Sequence, residues 1–283
     1  MFCEKETTMT ETKPILILGG TGKTGRRLAE RLTARGIPVR IGSRSGTPRF
    51  DWEAPASWAP ALEGVSAVYI SFYPDIAVPG AAEVIDAFTR LAMEHGVRRL
   101  VLLSGRGEHE AQRAEEMLKA SGADWTILRC AWFSQNFSEG FLIEPLLAGE
   151  VALPVGPVGE PFVDVDDIAD AAEAVLTEPG HVGQLYELTG PRLLSFADAV
   201  AEIAKATRRD IRFVRISHDE FTAAVASHEL PSEIVWLLDE LFSQVLDGRN
   251  ESLTDGVQRV LGRAPKDFSD YATETAATGI WSN

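Results

Sequence analysis

Gly19-Gly20-Thr21-Gly22-Lys23-Thr24-Gly25, preceded by Ile15-Leu16-Ile17-Leu18 and followed by Arg26-Arg27-Leu28-Ala29, is the stretch on which the reading of this chain turns. Four apolar residues bounded by Pro14 and Gly19 are too few for a helix and predict a buried parallel strand, while Leu28, Leu32 and the alanines after Gly25 predict a helix. Gly20-x-Gly22-x-x-Gly25 at the turn between them satisfies the dinucleotide fingerprint. Its glycines permit a tight turn, close approach of backbone to a pyrophosphate, and packing of helix on strand. The helix N-terminus then offers free N–H groups and a partial positive charge to phosphate. Gly22-Lys23-Thr24 also resembles the end of a P-loop, but that motif needs a glycine five positions before Gly22, and Ile17 stands there. The competing reading is a strand-turn-helix whose glycines serve packing alone.

Outward from this unit, residues 38–42 predict the second strand, which completes a βαβ unit. An NAD site places an acid after that strand to hold the ribose, and an NADP site places an arginine near the 2′-phosphate. Here the run is Gly42-Ser43-Arg44-Ser45, with no acid. Arg44 can pair with a phosphate through its planar fork and Ser43 can add a hydroxyl, so NADP(H) is the expected cofactor.

Residues before Asp51-Trp52 form a third strand or a loop, and 58–64 a short helix closed by glycine. Strands follow at 67–72, 100–105 and 125–129, separated by helices at 80–94 and 108–120. This alternation predicts an α/β fold, a Rossmann-type doubly wound parallel sheet. After residue 150 the pattern changes. Short strands at 151–154 and 161–165, a helix at 167–176, a strand at 185–189 returning to the main sheet, and a capping box at Ser195-Phe196-Ala197-Asp198 lead into a mostly helical end carrying Trp236, Leu237, Leu238, Leu241 and Phe242. The expected organisation is a disordered leader over 1–12, with Met9 an alternative start, a nucleotide-binding domain over 13–150, and a smaller substrate lobe over 151–283.

Composition bounds the function. The 283 residues are 45% hydrophobic and 24% charged, ordinary for a globular protein. A net charge of -15 opposes nucleic-acid binding, and the pairs Arg98-Arg99 and Arg208-Arg209 look like solvated turn charges rather than a basic patch. Two cysteines, Cys3 and Cys130, give no disulfide scaffold and favour a reducing, cytoplasmic setting. No apolar run is long enough to span a membrane. No HExxH pair or cysteine cluster suggests a metal. A small-molecule substrate and a monomer or homodimer are expected.

With the glycine turn 19–25, Ser104 after its strand, and Trp125-Thr126-Ile127-Leu128-Arg129 followed by Gln135-Asn136-Phe137, the chain resembles the NmrA-like atypical short-chain dehydrogenases over nearly its whole length after residue 12. Within that group, Ile41-Gly42-Ser43-Arg44-Ser45-Gly46 and Leu253-Thr254-Asp255-Gly256-Val257 look most like bacterial relatives of the festuclavine and agroclavine dehydrogenases. The resemblance implies an NADPH-dependent reductase of a C=N or activated C=C bond, in specialised metabolism. The same family contains a nucleotide-sensing regulator, with quinone reductases more distant. A cofactor-using isomerase or epimerase is a further alternative.

The Tyr-x-x-x-Lys pair of standard short-chain dehydrogenases is absent, which disfavours carbonyl reduction needing a strong acid and suits an iminium that already carries charge. The expected cofactor contacts are Gly19, Gly20, Thr21, Gly22, Lys23, Thr24, Gly25, Ser43, Arg44, Ser71, Phe72, Tyr73, Ser104 and Gly105. Trp132, Phe133 and Asn136 are expected in the substrate pocket, against a competing role in core packing. Catalytic candidates are Tyr73, at a strand's carboxyl end, Ser104, and His109. Histidine titrates in the useful range; neighbouring Glu108 shares the candidacy, although carboxylates at helix N-termini commonly serve the dipole.

Overall fold

The computed structural model describes residues 12–226 and 231–282. The leader, with Met9 and Cys3, lies outside them up to residue 11. The apolar run at the start forms β1 (Ile15–Leu18) with all four side chains buried. It is followed by α1 (Lys23–Ala34), β2 (Val39–Gly42), α2 (Trp58–Leu62), β3 (Ala67–Ile70), α3 (Ala81–Glu94), β4 (Arg99–Gly105), α4 (His109–Ala120) and β5 (Asp124–Cys130). Then come α5 (Ile143–Ala148), β6 (Glu150–Leu153), α6 (Val165–Thr177), β7 (Gln184–Leu188), α7 (Phe196–Thr207), β8 (Arg212–Arg215), α8 (His218–Ala226), α9 (Ser232–Glu240), α10 (Gly256–Leu261) and α11 (Phe268–Ala277).

Six strands form one parallel sheet in the order β2-β1-β3-β4-β5-β7, and β6 pairs with β8 in a second, two-stranded parallel sheet. Alternation along β1 sends Leu16 and Leu18 to one face, where they meet Phe88 and Ile85 of α3. It sends Ile15 and Ile17 to the other, with Leu28 and Leu32 of α1 and Ile168 of α6. Both faces are thus covered, as an all-parallel sheet requires. The order reverses direction at β1 and β3, and in open sheets the crevice beyond the carboxyl ends at that point receives ligands.

Of the two alternatives for the segment before Asp51-Trp52 the loop is found, and the strand expected at 161–165 is absent. Residues 46–54 are a loop whose Phe50 and Trp52 pack edge-on to each other and to Phe88. Residues 161–165 make one bridge, Phe133 to Val163, before α6 begins. There the chain is claimed by a side chain: Asp164 caps α6 by accepting from the N–H of Asp166, which ends any extended run. The arginine pairs are also not simply solvated. Arg99 lies half-buried in β4 and donates to the carbonyls of Asp124 and Val175, and Arg209 donates to those of Leu146, Leu147 and Trp281.

The second half of the chain serves two cores. α6, β7 and α10 pack on the main sheet, whereas α7, α8, α9, α11 and the β6–β8 pair enclose a separate aromatic core around Phe137, Phe162, Phe196 and Phe268. Ser195 and Asp198 form the expected capping box at the start of α7.

Candidate active site

A cleft of about 520 Å³ runs along the carboxyl ends of β1 to β5. At one end the turn after β1 is held by the Gly22 N–H donating to the Gly19 carbonyl at 2.8 Å. Gly19 adopts a positive φ of 65°. A Cβ on Gly25 would fall 2.3 Å from the Gly19 carbonyl oxygen, so only glycine lets the helix sit this close to the turn. Gly19, Thr21, Gly22, Lys23 and Thr24 line the cleft, whereas Gly20 and Gly25 lie behind it and act through packing. No side chain caps α1 and no acid stands in its first turn. Its N-terminal N–H groups therefore face the cleft uncontested, which fits a dinucleotide pyrophosphate.

The Lys23 amine donates to Asn136 Oδ1 at 2.7 Å and so ties α1 to the segment after β5. Burial lowers its pKa, against the opposing pull of Glu139 and Asp75. Ser43 and Arg44 line the same end. The Arg44 guanidinium lies over the Tyr73 ring, 5.2 Å from its centroid, and among the described residues it enters no ion pair. Asp51 and Glu53, unnoticed in the sequence as wall residues, also line this end. The Asp51 carboxylate is already engaged by Arg49 at 2.7 Å and by the Glu53 N–H at 3.2 Å.

Farther along, Ser71, Phe72, Tyr73, Ser104, Gly105, Trp132, Phe133 and Asn136 all line the cleft. Two catalytic candidates need correction. Ser104 is 3% exposed and its hydroxyl donates to Glu115 Oε1 at 2.6 Å. Glu115 is in turn held by Arg129, which reaches Glu187 at 2.7 Å. This hydroxyl is committed to a buried ionic chain and away from any substrate. His109 is not in the cleft at all: its side chain is 82% exposed on the outer face of α4. His109 opens the helix with its ring turned outward, while Glu108, the extended residue just before it, turns its side chain inward.

Tyr73 is the one tyrosine in the cleft wall, and it is 62% exposed. Tyr69 is fully buried in β3, Tyr186 bonds His181 Nδ1 at 2.9 Å, and Tyr271 donates to Ser138 at 2.8 Å.

The most unusual groups are the carboxyls of Asp75, Glu108 and Glu160, all in the wall; the sequence singles out Glu108 alone among them as a candidate acid or base. Glu160 accepts the Trp132 backbone N–H at 3.1 Å with Oε1, but its Oε2 is buried without a partner, as are Glu108 Oε2 and the Trp132 indole N–H. Burial pushes all three carboxyls up, Glu160 to about 7, and repulsion from Asp75 raises Glu108 further. No sequence signal marked Asp75 or Glu160, because each is buried by segments distant in the chain. Leu241 and Val245, on the π-helical turn that continues α9, close the wall from the second core. Among the described residues no group of three or more His, Cys, Asp or Glu side chains is arranged to hold a metal, and no helix is long and apolar enough to cross a membrane.

Residues 19–179 match the NAD(P)H-binding family. The oxidoreductase YesF of Bacillus subtilis is 31% identical over 97% of this chain and 100% of its own. The agroclavine dehydrogenase of Claviceps fusiformis is 29% identical over 94% of this chain and 98% of its own. In fold, the NADPH-dependent quinone oxidoreductase of Escherichia coli complexed with NADPH superposes with a TM-score of 0.74 over 92% of this chain and 99% of that one, at 23% identity.

Proposed function

The chain belongs to the NmrA-like, NAD(P)H-binding family of atypical short-chain dehydrogenases, a family of NAD(P)H-dependent oxidoreductases, and from that premise we propose that it reduces a C=N or activated C=C bond of a small planar substrate with NADPH. The observation that carries this reading is the continuity of the cleft. The same cavity that begins at the glycine turn and Arg44 extends past Ser71 and Gly105 to Trp132 and Phe133. A nucleotide sensor has no need of an open chamber beyond its cofactor.

In this reading the backbone from Gly19 to Thr24 holds the pyrophosphate, and Ser43 with Arg44 holds the 2′-phosphate. Lys23 and Asn136 fix the segment after β5 against the cofactor. The bound nicotinamide supplies a hydride. Trp132, Phe133 and Phe72 offer aromatic faces to a planar acceptor, including one that carries positive charge. Reduction of a clavine-like imine agrees with the similarity to agroclavine dehydrogenase.

The test is turnover of purified protein with NADPH and with NADH against panels of imines, enones and quinones. NADPH oxidation dependent on an imine or enone is the expected result. Tight NADPH binding without turnover on any panel overturns the reading in favour of a nucleotide-sensing regulator.

A further inference from the structure

Glu108 occupies a position for which neither the fingerprint nor the ionic chain around Glu115 accounts. It stands at the N-terminal boundary of α4 as a residue that makes no capping bond. Its side chain is turned instead into the cleft, against the end of β4. Room for it exists because residue 105 is glycine: a Cβ there would fall 1.9 Å from Glu108 Oε2. That oxygen is withdrawn from water and has no hydrogen-bond partner. A carboxyl so placed, bordering an open chamber, has a proton to give and nothing within the protein to give it to.

We propose that Glu108 is the proton donor of this site and that Gly105 is the residue that admits its carboxyl to the chamber. The proposal rests on the reductase reading above. In a neutral imine, hydride adds to carbon and the C=N π electrons move to nitrogen. Nitrogen takes the proton from the Glu108 O–H as that bond breaks, leaving a carboxylate. Water from the cleft reprotonates it, so each bond reduced consumes one NAD(P)H and one solvent proton. An enone is served in the same way, the proton passing to the oxygen of the developing enolate. The absence of a Tyr-x-x-x-Lys pair therefore does not leave the site without an acid.

The surroundings favour the protonated form of this carboxyl. The groups that act on Glu108 are Asp75 after β3, Glu115 on α4 and Glu240 on α9, all acids, together with the burial itself; Cys130 on β5 is the remaining titratable neighbour. Each opposes ionisation, and burial and Glu108 together push the Cys130 thiol up as well. Lys23 acts on Asp75, favouring its charged form, which further discourages a charge on Glu108.

Two measurements decide it. Infrared difference spectra of wild type minus Glu108→Gln, without cofactor or substrate, should show the C=O stretch of a protonated carboxylic acid at pH 7, disappearing as pH rises. Rates on a neutral imine and on its N-methylated iminium, which needs no proton, should separate in the variant. Glu108→Gln should lose at least about a hundredfold more on the imine than on the iminium, the lower range for general acid catalysis. The wild-type rate on the imine should fall at alkaline pH, and the residual rate of the variant should not. Glu108→Asp, which keeps an acid on a shorter stem, should recover part of the loss. Thermal midpoints establish that the variants fold. No protonated band at pH 7, or equal losses on the two substrates by an enzyme that turns both over, overturns Glu108 alone. A wild type that reduces no C=N or C=C compound overturns the reductase reading and Glu108's part in it together.

Discussion

At the nucleotide end of the cleft the protein presents backbone N–H groups, hydroxyls and the exposed Arg44 guanidinium, whereas at the substrate end it presents the carboxyl of Asp75 and, with atoms withdrawn from water and unpartnered, those of Glu108 and Glu160 and the Trp132 indole N–H. The first set is assembled almost entirely from two short runs, 19–24 and 43–44. The second draws on Asp75, Glu108, Trp132 and Glu160, which four separate segments bring together. Solvated groups keep near their ordinary chemistry, and their role follows from geometry. Buried, unpartnered acids change their chemistry, because charging them without water or a counter-ion is costly. The two ends therefore differ in how they should respond to substitution.

The largest effect, a loss of cofactor binding on top of stability, is expected at the turn. In Gly25→Ala the new methyl meets backbone, the Gly19 carbonyl oxygen at 2.3 Å, and nothing flexible can yield. We expect a loss of about 1–3 kcal/mol in stability from the overpacking, and loss of NADPH binding detectable by calorimetry. A variant that binds NADPH like wild type would break the claim that the cradle depends on this close approach.

Next is the pH dependence of stability at the substrate end. The folded pKa of Glu160, about 7, is raised above its ordinary value, and the residue is 2% exposed. The folded state thus holds the proton more tightly than the unfolded chain. The associated stability is complete below the unfolded pKa and is lost as pH rises through about 7. At 1.36 kcal/mol per pKa unit the change is on the order of 3 kcal/mol. Glu160→Gln should remove that decline between pH 5 and pH 8.5, read by chemical denaturation. Parallel curves for the two proteins would mean that water relaxes the site.

Arg44→Ala should weaken NADPH about ten- to a hundredfold and leave NADH nearly unchanged. A charge-assisted hydrogen bond contributes about 1.5–3 kcal/mol, and only NADPH carries the extra phosphate. Calorimetric titration of both cofactors checks it; equal losses would show that Arg44 supports the adenosine half through its stack on Tyr73 rather than by reading the 2′ position. The smallest effect is expected for Tyr73→Phe, which keeps that ring and removes one exposed hydroxyl. Its loss in kcat should stay below about tenfold, the reach of one neutral hydrogen bond of 0.5–1.5 kcal/mol. A loss of a thousandfold would move the proton donor from Glu108 to Tyr73.

Where the sequence misled, the cause was a competing local interaction. Ser104 lines the cleft, yet its hydroxyl serves Glu115, eleven residues away and itself invisible as a partner until α4 packs beside β4 and β5. His109, attractive for its titration range, begins α4 on its outer face, whereas Glu108 precedes the helix in extended backbone and faces inward. The strand expected at 161–165 gave way to the Asp164 cap.

By itself the sequence determined the parallel sheet, the glycine turn and the run Ser43-Arg44, because each rests on short-range rules: apolar periodicity, the steric freedom of glycine, and the residues that follow a strand. Only the tertiary structure decided which acids border the chamber, which hydroxyl is already engaged, and which carboxyls burial pushes up. Desolvation and charge repulsion depend on what surrounds a group in space. Asp75, Glu108 and Glu160 acquire their common wall only when loops after β3, β4 and β6 close on one cavity.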